Sequence, residues 1–338
     1  MADAPVLAEV GWDLDAADAI PLGDALVELL DGLPERPRLL GLGEPTHGVE
    51  EFPRLRNRIF AQLVERAGYR SIALESDCLA AALVDDFVAG GPGSLDEVMA
   101  TGFSHGFGTS PANRELVAWM RDRNSTRDPA DRIGFHGFDP PLEMAPAPSP
   151  RGPLVALHDY LTTHRGAGGT PMPVDRADVE RLVGDDGRWT EPASLMDPAR
   201  SVGSSPDVAQ LRLLTEELAG LLAAEAPQLI VAGGRSARDR AALDARTAAG
   251  LLRYHAGMAD PTEHRLPRLM AQRDAMMAAN LVALADQEAH RGPTLVFANN
   301  RHLQREPSTW ELAGTDLRWW SAGAITAALL GNRYAFVA

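Results

Sequence analysis

The chain contains no lysine, so all 32 of its basic side chains are arginine. A phosphate-binding loop of the usual kind, which needs a lysine, is excluded. Cysteine occurs once, at Cys78. No internal disulfide can form, which suits a reducing compartment. No stretch approaches the roughly 18 apolar residues needed to span a bilayer. The opening residues lack a basic segment followed by an apolar one, so no secretory leader is expected. The chain reads as cytoplasmic. Basic charge is also in deficit, with 47 acidic residues against 32 basic and a formal net charge of −15. Such a chain repels phosphate backbones and anionic lipid. The expected partner is a small-molecule substrate, with no nucleic acid and no membrane. No heptad or exposed apolar stripe announces an oligomeric state.

What is present is enough for a large packed core. The chain has 338 residues, 45% of them hydrophobic, which requires no covalent staples. Short apolar runs at 38–43, 69–74, 132–138 and 293–298 read as buried strands, and 333–337 as a closing strand. Helical spacing marks 22–31, a helix from about Glu50 to Gly68, then 77–89, 94–100, 112–124, 207–226, 236–256, 266–290 and 321–330. Strand, helix and strand in succession imply parallel pairing. The proline-rich stretch 140–153 reads as a linker or ordered loop. Weak periodicity follows it to about 205, broken by GAGGTPMP and SVGSSP. The expected fold is α/β: a mostly parallel central sheet flanked by helices, with an inserted helical lobe over the active-site cleft. Residues 1–140 form the first part of the core, 141–265 the lobe, and 266–338 the closing part.

Each strand candidate ends in a polar cluster. The first gives Glu44, Thr46 and His47, and the second Glu75, Ser76 and Asp77. The third gives His136 and Asp139, and the fourth Asn299, Asn300 and His302. Ligands bind beyond the carboxyl ends of strands in open parallel sheets, so four clusters on one edge indicate a site. A carboxylate three residues before an imidazole can fix its tautomer and raise its basicity. Taken alone, His47 could equally cap the next helix while Glu44 pairs with an arginine. Of Arg54, Arg56 and Arg58, one turned inward could neutralise the carboxylates.

Several other readings compete. GLGEPT lacks the third glycine of a dinucleotide fingerprint. GFSHG at 102–106 fits a nucleophile elbow, but no strand precedes it, which counts against Ser104; His105 is expected to line the pocket. Glu44, His47, Glu75 and His302 offer mixed ligation to a metal, without the usual ligand spacing. Cys78 reads as a small buried hydrophobe. The histidines at 158, 164, 255, 264 and 290 read as structural or exposed. Trp310, Trp319 and Trp320 read as packing residues.

The segment LGLGEPTHGVEEFPRLRNRIFAQLVERAGYRSIALESD resembles the signature of the erythromycin esterase family. LVAWMRDRN at 116–124 and QRDAMMAANLVALADQEAHRGPTLVFANNRHLQ at 272–304 agree with it. The likeness is weakest over 141–235. It implies a metal-independent hydrolase without cofactor, of the type that opens macrolide lactones. It assigns a general-base role to His47, with Glu44, Glu75 and Arg56 as matching site residues. The family's late AHNxH motif reads ANNRH here, so His302 matches and Asn299 replaces the first histidine. Asparagine hydrogen-bonds but does not take a proton at neutral pH. The resulting expectation is that His47 activates water to cleave an ester or lactone of a natural-product-like substrate, with Glu44, Glu75, Arg56 and His302 catalytic. His105, His136, Asn299, Asn300 and Asp77 are then expected to bind substrate. The alternatives are non-hydrolytic acid–base chemistry on a biosynthetic intermediate, and a binding protein that has lost catalysis.

Overall fold

The computed structural model describes residues 19–142, 147–166, 171–312 and 314–338. The first 18 residues, part of the proline-rich stretch and part of GAGGTPMP lie outside the described residues. Strands β1 (Leu39–Glu44), β2 (Ser71–Asp77), β3 (Gly134–Asp139) and β4 (Thr294–Asn299) arise from the four apolar runs. β5 (Pro307–Leu312) and β6 (Thr315–Trp320) pair as an antiparallel hairpin, and β7 (Tyr334–Val337) follows. The main sheet is ordered β3-β2-β4-β1-β7. Every pairing in it is parallel.

Helices cover both faces of this sheet. They are α1 (Ala19–Asp31), α2 (Glu51–Arg66), α3 (Ala81–Val88), α4 (Leu95–Thr101) and α5 (Pro111–Ser125) before the lobe. Strand alternation sorts the core. Leu40, Ile72, Leu74, Phe135 and Leu295 pack with Phe60, Leu63 and Leu116 on one face. Leu39, Ala73, Val296 and Phe138 pack on the other with Met277 and Leu281. A sheet buried on both faces explains why its strands read as continuous apolar runs.

The chain leaves the core after β3. It then forms α6 (Arg151–His164), α7 (Arg176–Val183), α8 (Pro206–Ala224), α9 (Ala226–Gly233) and α10 (Arg235–Met258). These helices have a core of their own, with Leu157, Leu182, Trp189, Leu211, Leu218 and Leu252 buried together. The chain returns through α11 (Arg265–Gln287), α12 (Asn300–Leu303) and α13 (Ala322–Leu330). Among the described residues no helix is long and apolar enough to cross a membrane.

Three features differ from the sequence reading. The 207–226 helix ends at Ala224, and an unexpected helix α9 follows it, with Pro227 in its first turn, a position that tolerates proline. Ordered helices α6 and α7 occupy the weakly periodic region. The β5–β6 hairpin was not expected. It buries Trp319 and leaves Trp320 outside, as alternation along a strand requires.

Candidate active site

Parallel pairing brings the carboxyl ends of β1 to β4 to one edge. Glu44 lies opposite Asn299 in the β1–β4 register. Gly43 is needed there, because a Cβ on it would lie 1.9 Å from Asn300 Oδ1 at the start of α12. β1 then runs through a turn to His47. The ring folds back so that Nδ1 lies 2.6 Å from Glu44 Oε1. Glu44 is buried and ionisable, so the arrangement is a carboxylate–imidazole pair. Its hydrogen bond is the largest influence on His47. Together with Glu75 it holds the ring's pKa above the usual histidine value, although burial and His302 pull the other way.

Glu75 lies near the end of β2, buried at the centre of the site. Its Oε1 lies 3.7 Å from His47 Nε2, 3.4 Å from His302 Nε2 and 3.5 Å from Arg273 Nη2. Its Oε2 accepts the Asn299 backbone N–H at 2.8 Å. Two imidazoles and one guanidinium therefore converge on one carboxylate. His302 is held from behind: its Nδ1 lies 2.9 Å from Asp274 Oδ1. Burial lowers the His302 pKa, but Glu75 and Asp274 outweigh it and leave the ring more basic than usual.

Arg56 is fully buried one turn and a half into α2. Its guanidinium donates to Asn57 Oδ1 and stacks over Phe297 at 4.9 Å. Burial depresses its pKa to about 9, against the pull of Glu44 and Glu50. It therefore stays charged at neutral pH.

Several of these groups border a cavity of about 470 Å³. Glu44, His47, Arg56, Glu75 and Phe297 line it from the sheet side, and His105, Phe107 and Asn113 from the segment that leads into α5. Volumes of this order hold small organic ligands. His105 adopts a left-handed backbone, φ 56°, which is uncommon outside glycine. Its Nε2 lies 2.8 Å from Asp139 Oδ2. Phe107 makes edge contacts with both His47 and His105.

The structure thus brings together Glu44, His47, Arg56, Glu75, His105 and His302, with Asn299 joining through its backbone. It does not bring in three other expected residues. His136 lies in mid-strand, on the sheet face turned to α11, with Nε2 3.8 Å from Glu288. It lines a separate cavity with Asp85, Asp239 and Arg246. Asn300 turns behind β1 into an apolar cavity beneath α1 and α2. Asp77 accepts the N–H groups of Leu79 and Ala80 and so starts the turn into α3. The Asn299 side chain likewise serves the fold, accepting the Arg301 N–H.

Three residues of the site were missing from the expected set. Asp139 was noticed but given no role. It is fully buried, and Arg273 grips both its oxygens while His105 takes one. Arg273 and Asp274 were given no role in the site. The signal for both α11 residues was an Arg–Asp pair inside a helix whose other inward positions are Leu269, Met276 and Met277.

Ser104 is not placed as a nucleophile. Its Oγ accepts the Asp77 N–H at 2.9 Å, and its own N–H donates to Ser76 Oγ. It ties the loop to the end of β2. Cys78 is buried, with its thiol pushed up to about 12 by that burial. Among the described residues, no group of three or more His, Cys, Asp or Glu side chains has a metal-binding arrangement.

The erythromycin esterase family model matches residues 64–338. The chain therefore belongs to the erythromycin esterase family. Glu44 and His47 precede the matched span. Three solved structures share the fold. A protein from Bacillus cereus is 20% identical, with a TM-score of 0.69 over 95% of this chain and 69% of its own. A succinoglycan biosynthesis protein is also 20% identical, with a TM-score of 0.67 over 95% and 69%. A mutant of the erythromycin esterase EreC in its open conformation is 19% identical, with a TM-score of 0.64 over 94% of this chain and 72% of its own.

Proposed function

We propose that this member of the erythromycin esterase family is a hydrolase that cleaves an ester or lactone of a natural-product-like small molecule by direct attack of water. The observation that carries the reading is the Glu44–His47 pair at the wall of the 470 Å³ cavity. With Nδ1 donating to Glu44, Nε2 is left as the basic atom. His47 takes a proton from water through Nε2 as the oxygen attacks the carbonyl carbon. General-base catalysis of this kind contributes about 10² to 10⁴ in rate. Arg56 supplies a fixed positive charge in a buried setting, where charge stabilises a developing oxyanion most strongly. Collapse of the tetrahedral intermediate breaks the C–O bond, and the proton held on His47 passes to the leaving oxygen. Water and ester become acid and alcohol, with no covalent enzyme intermediate and no metal.

Asn299 favours a second reading, acid–base chemistry on a biosynthetic intermediate that ends in elimination or cyclisation. That position holds a histidine in the family motif, and a proton-transfer group is lost from it here. One experiment separates the readings. Macrolides and simple esters are incubated with wild type and His47→Ala, with and without chelator, and products are weighed by mass spectrometry. Addition of one water, lost in the variant and insensitive to chelator, is expected. Products of unchanged or water-depleted mass would favour the second reading, and binding without turnover a silent binding protein.

A further inference from the structure

The site contains a second carboxylate–imidazole pair that the proposed reaction does not use. Asp274 is 1% exposed and is surrounded by donors. Its Oδ1 accepts the Ala322 N–H at 2.8 Å and faces His302 Nδ1 at 2.9 Å, and its Oδ2 accepts Trp319 Nε1–H at 2.6 Å. A carboxylate that accepts two N–H donors is fixed in one orientation. His302 must then present a proton at Nδ1, which leaves Nε2 facing Glu75. From there the chain of contacts reaches His47.

We infer that Asp274 is a positioning residue that acts through His302 and Glu75 on the basicity of His47, and that the β5–β6 hairpin serves the site by fixing Asp274 through Trp319. The inference deepens the proposal that His47 is the working base. The physical argument is one of charge. Glu75 raises the basicity of His47, and a protonated His302 beside Glu75 offsets this. Asp274 favours the protonated form of His302, so the pair moderates how tightly His47 holds the proton it takes. The charged groups facing His302 are Glu75 from β2 and Arg273 and Asp274 from α11; those facing His47 are Glu44, Glu75 and His302. With Asp274 neutral, His302 loses its proton more readily. Glu75 then acts on His47 unopposed.

The test uses Asp274→Asn, which keeps the shape of the side chain and removes its charge. The His47 titration is followed by NMR of the ring nitrogens, and the acid limb of kcat/KM is followed on any ester turned over. Both are expected to move to higher pH, by on the order of half a unit to one unit. His302→Gln, which removes the cation directly, is expected to give the same shift. The double variant is expected to add nothing further, because the two residues act in series. An unmoved His47 titration in both single variants, or additive shifts in the double, would overturn the inference. Failure of the wild type to turn over any ester would instead sink the hydrolytic proposal. The NMR titration would still decide the role of Asp274.

Discussion

His47 Nδ1 lies 2.6 Å from Glu44 Oε1, three residues back along the chain. That bond raises the folded-state pKa of the ring. In the proposed reaction His47 works in its neutral form, so the acid limb of the rate profile is expected above about 6.5, the ordinary histidine value. Glu44→Gln removes the charge and keeps an acceptor. It should move that limb toward lower pH and reduce kcat. A profile of kcat/KM from pH 5 to 9 checks the direction. A limb that stays put in the variant would mean another group is titrating.

The Arg273–Asp139 pair makes a stability prediction. Asp139 is fully buried and depends on Arg273 for its charge balance, with help from His105. Removing one partner of a buried pair typically costs about 3–5 kcal/mol, because the other charge is left uncompensated. Arg273→Met is expected to lower stability by about that amount, read as a shift in the urea midpoint. The burden falls at neutral pH and eases in acid, where Asp139 can take a proton. Equal destabilisation at pH 4 and pH 7 would point to packing instead of charge.

Gly43→Ala tests the close approach of α12 to β1. The new methyl would overlap Asn300 Oδ1. Overpacking of this kind costs about 1–3 kcal/mol. Thermal unfolding should show the loss, and Asn300→Ala in the same chain should restore much of it. Absence of rescue would mean that the strand itself, not the asparagine, resists the methyl.

Ser104→Ala is expected to retain turnover within about tenfold, since losing a neutral hydrogen bond costs roughly 1 kcal/mol. An active-serine probe should leave the wild type unlabelled. Stoichiometric labelling at Ser104 would replace water attack with a covalent route.

Much of the fold was written plainly in the chain, because a sheet covered on both faces demands apolar runs and parallel pairing puts their polar ends together. Glu44, His47 and Glu75 were legible for that reason. His136 was misplaced by counting it as a strand end. Phe135 and Phe138 lie on opposite faces of β3, and alternation puts His136 on the Phe138 face, in mid-strand. Asn300 was misplaced because the turn from β4 into α12 aims its side chain behind β1, into the apolar cavity beneath α1 and α2. Asp274 was hidden by its surroundings: its two anchoring donors come from residues 319 and 322, and no local pattern reports contacts across such a span. Phe107 became cavity wall through the path of a loop with no periodicity to read, and that path brings Asn113, in the first turn of α5, to the same wall.

The strand order has a consequence for the growing chain. β4 separates β1 from β2, yet it is made more than 200 residues after β2 begins. At roughly 5–20 residues per second, that interval lasts on the order of ten seconds or more. During it the hydrogen-bonding edges that β1 and β2 will offer to β4 stand open, a hazard for wrong pairing. The lobe meanwhile can complete its separate core. Glu75 acquires its bond to the Asn299 backbone only when β4 slides between its neighbours. The edge that carries the candidate site is therefore assembled by a late insertion at the centre of the sheet, and a slow or misdirected β4 would yield a chain with both carboxylates present and no site.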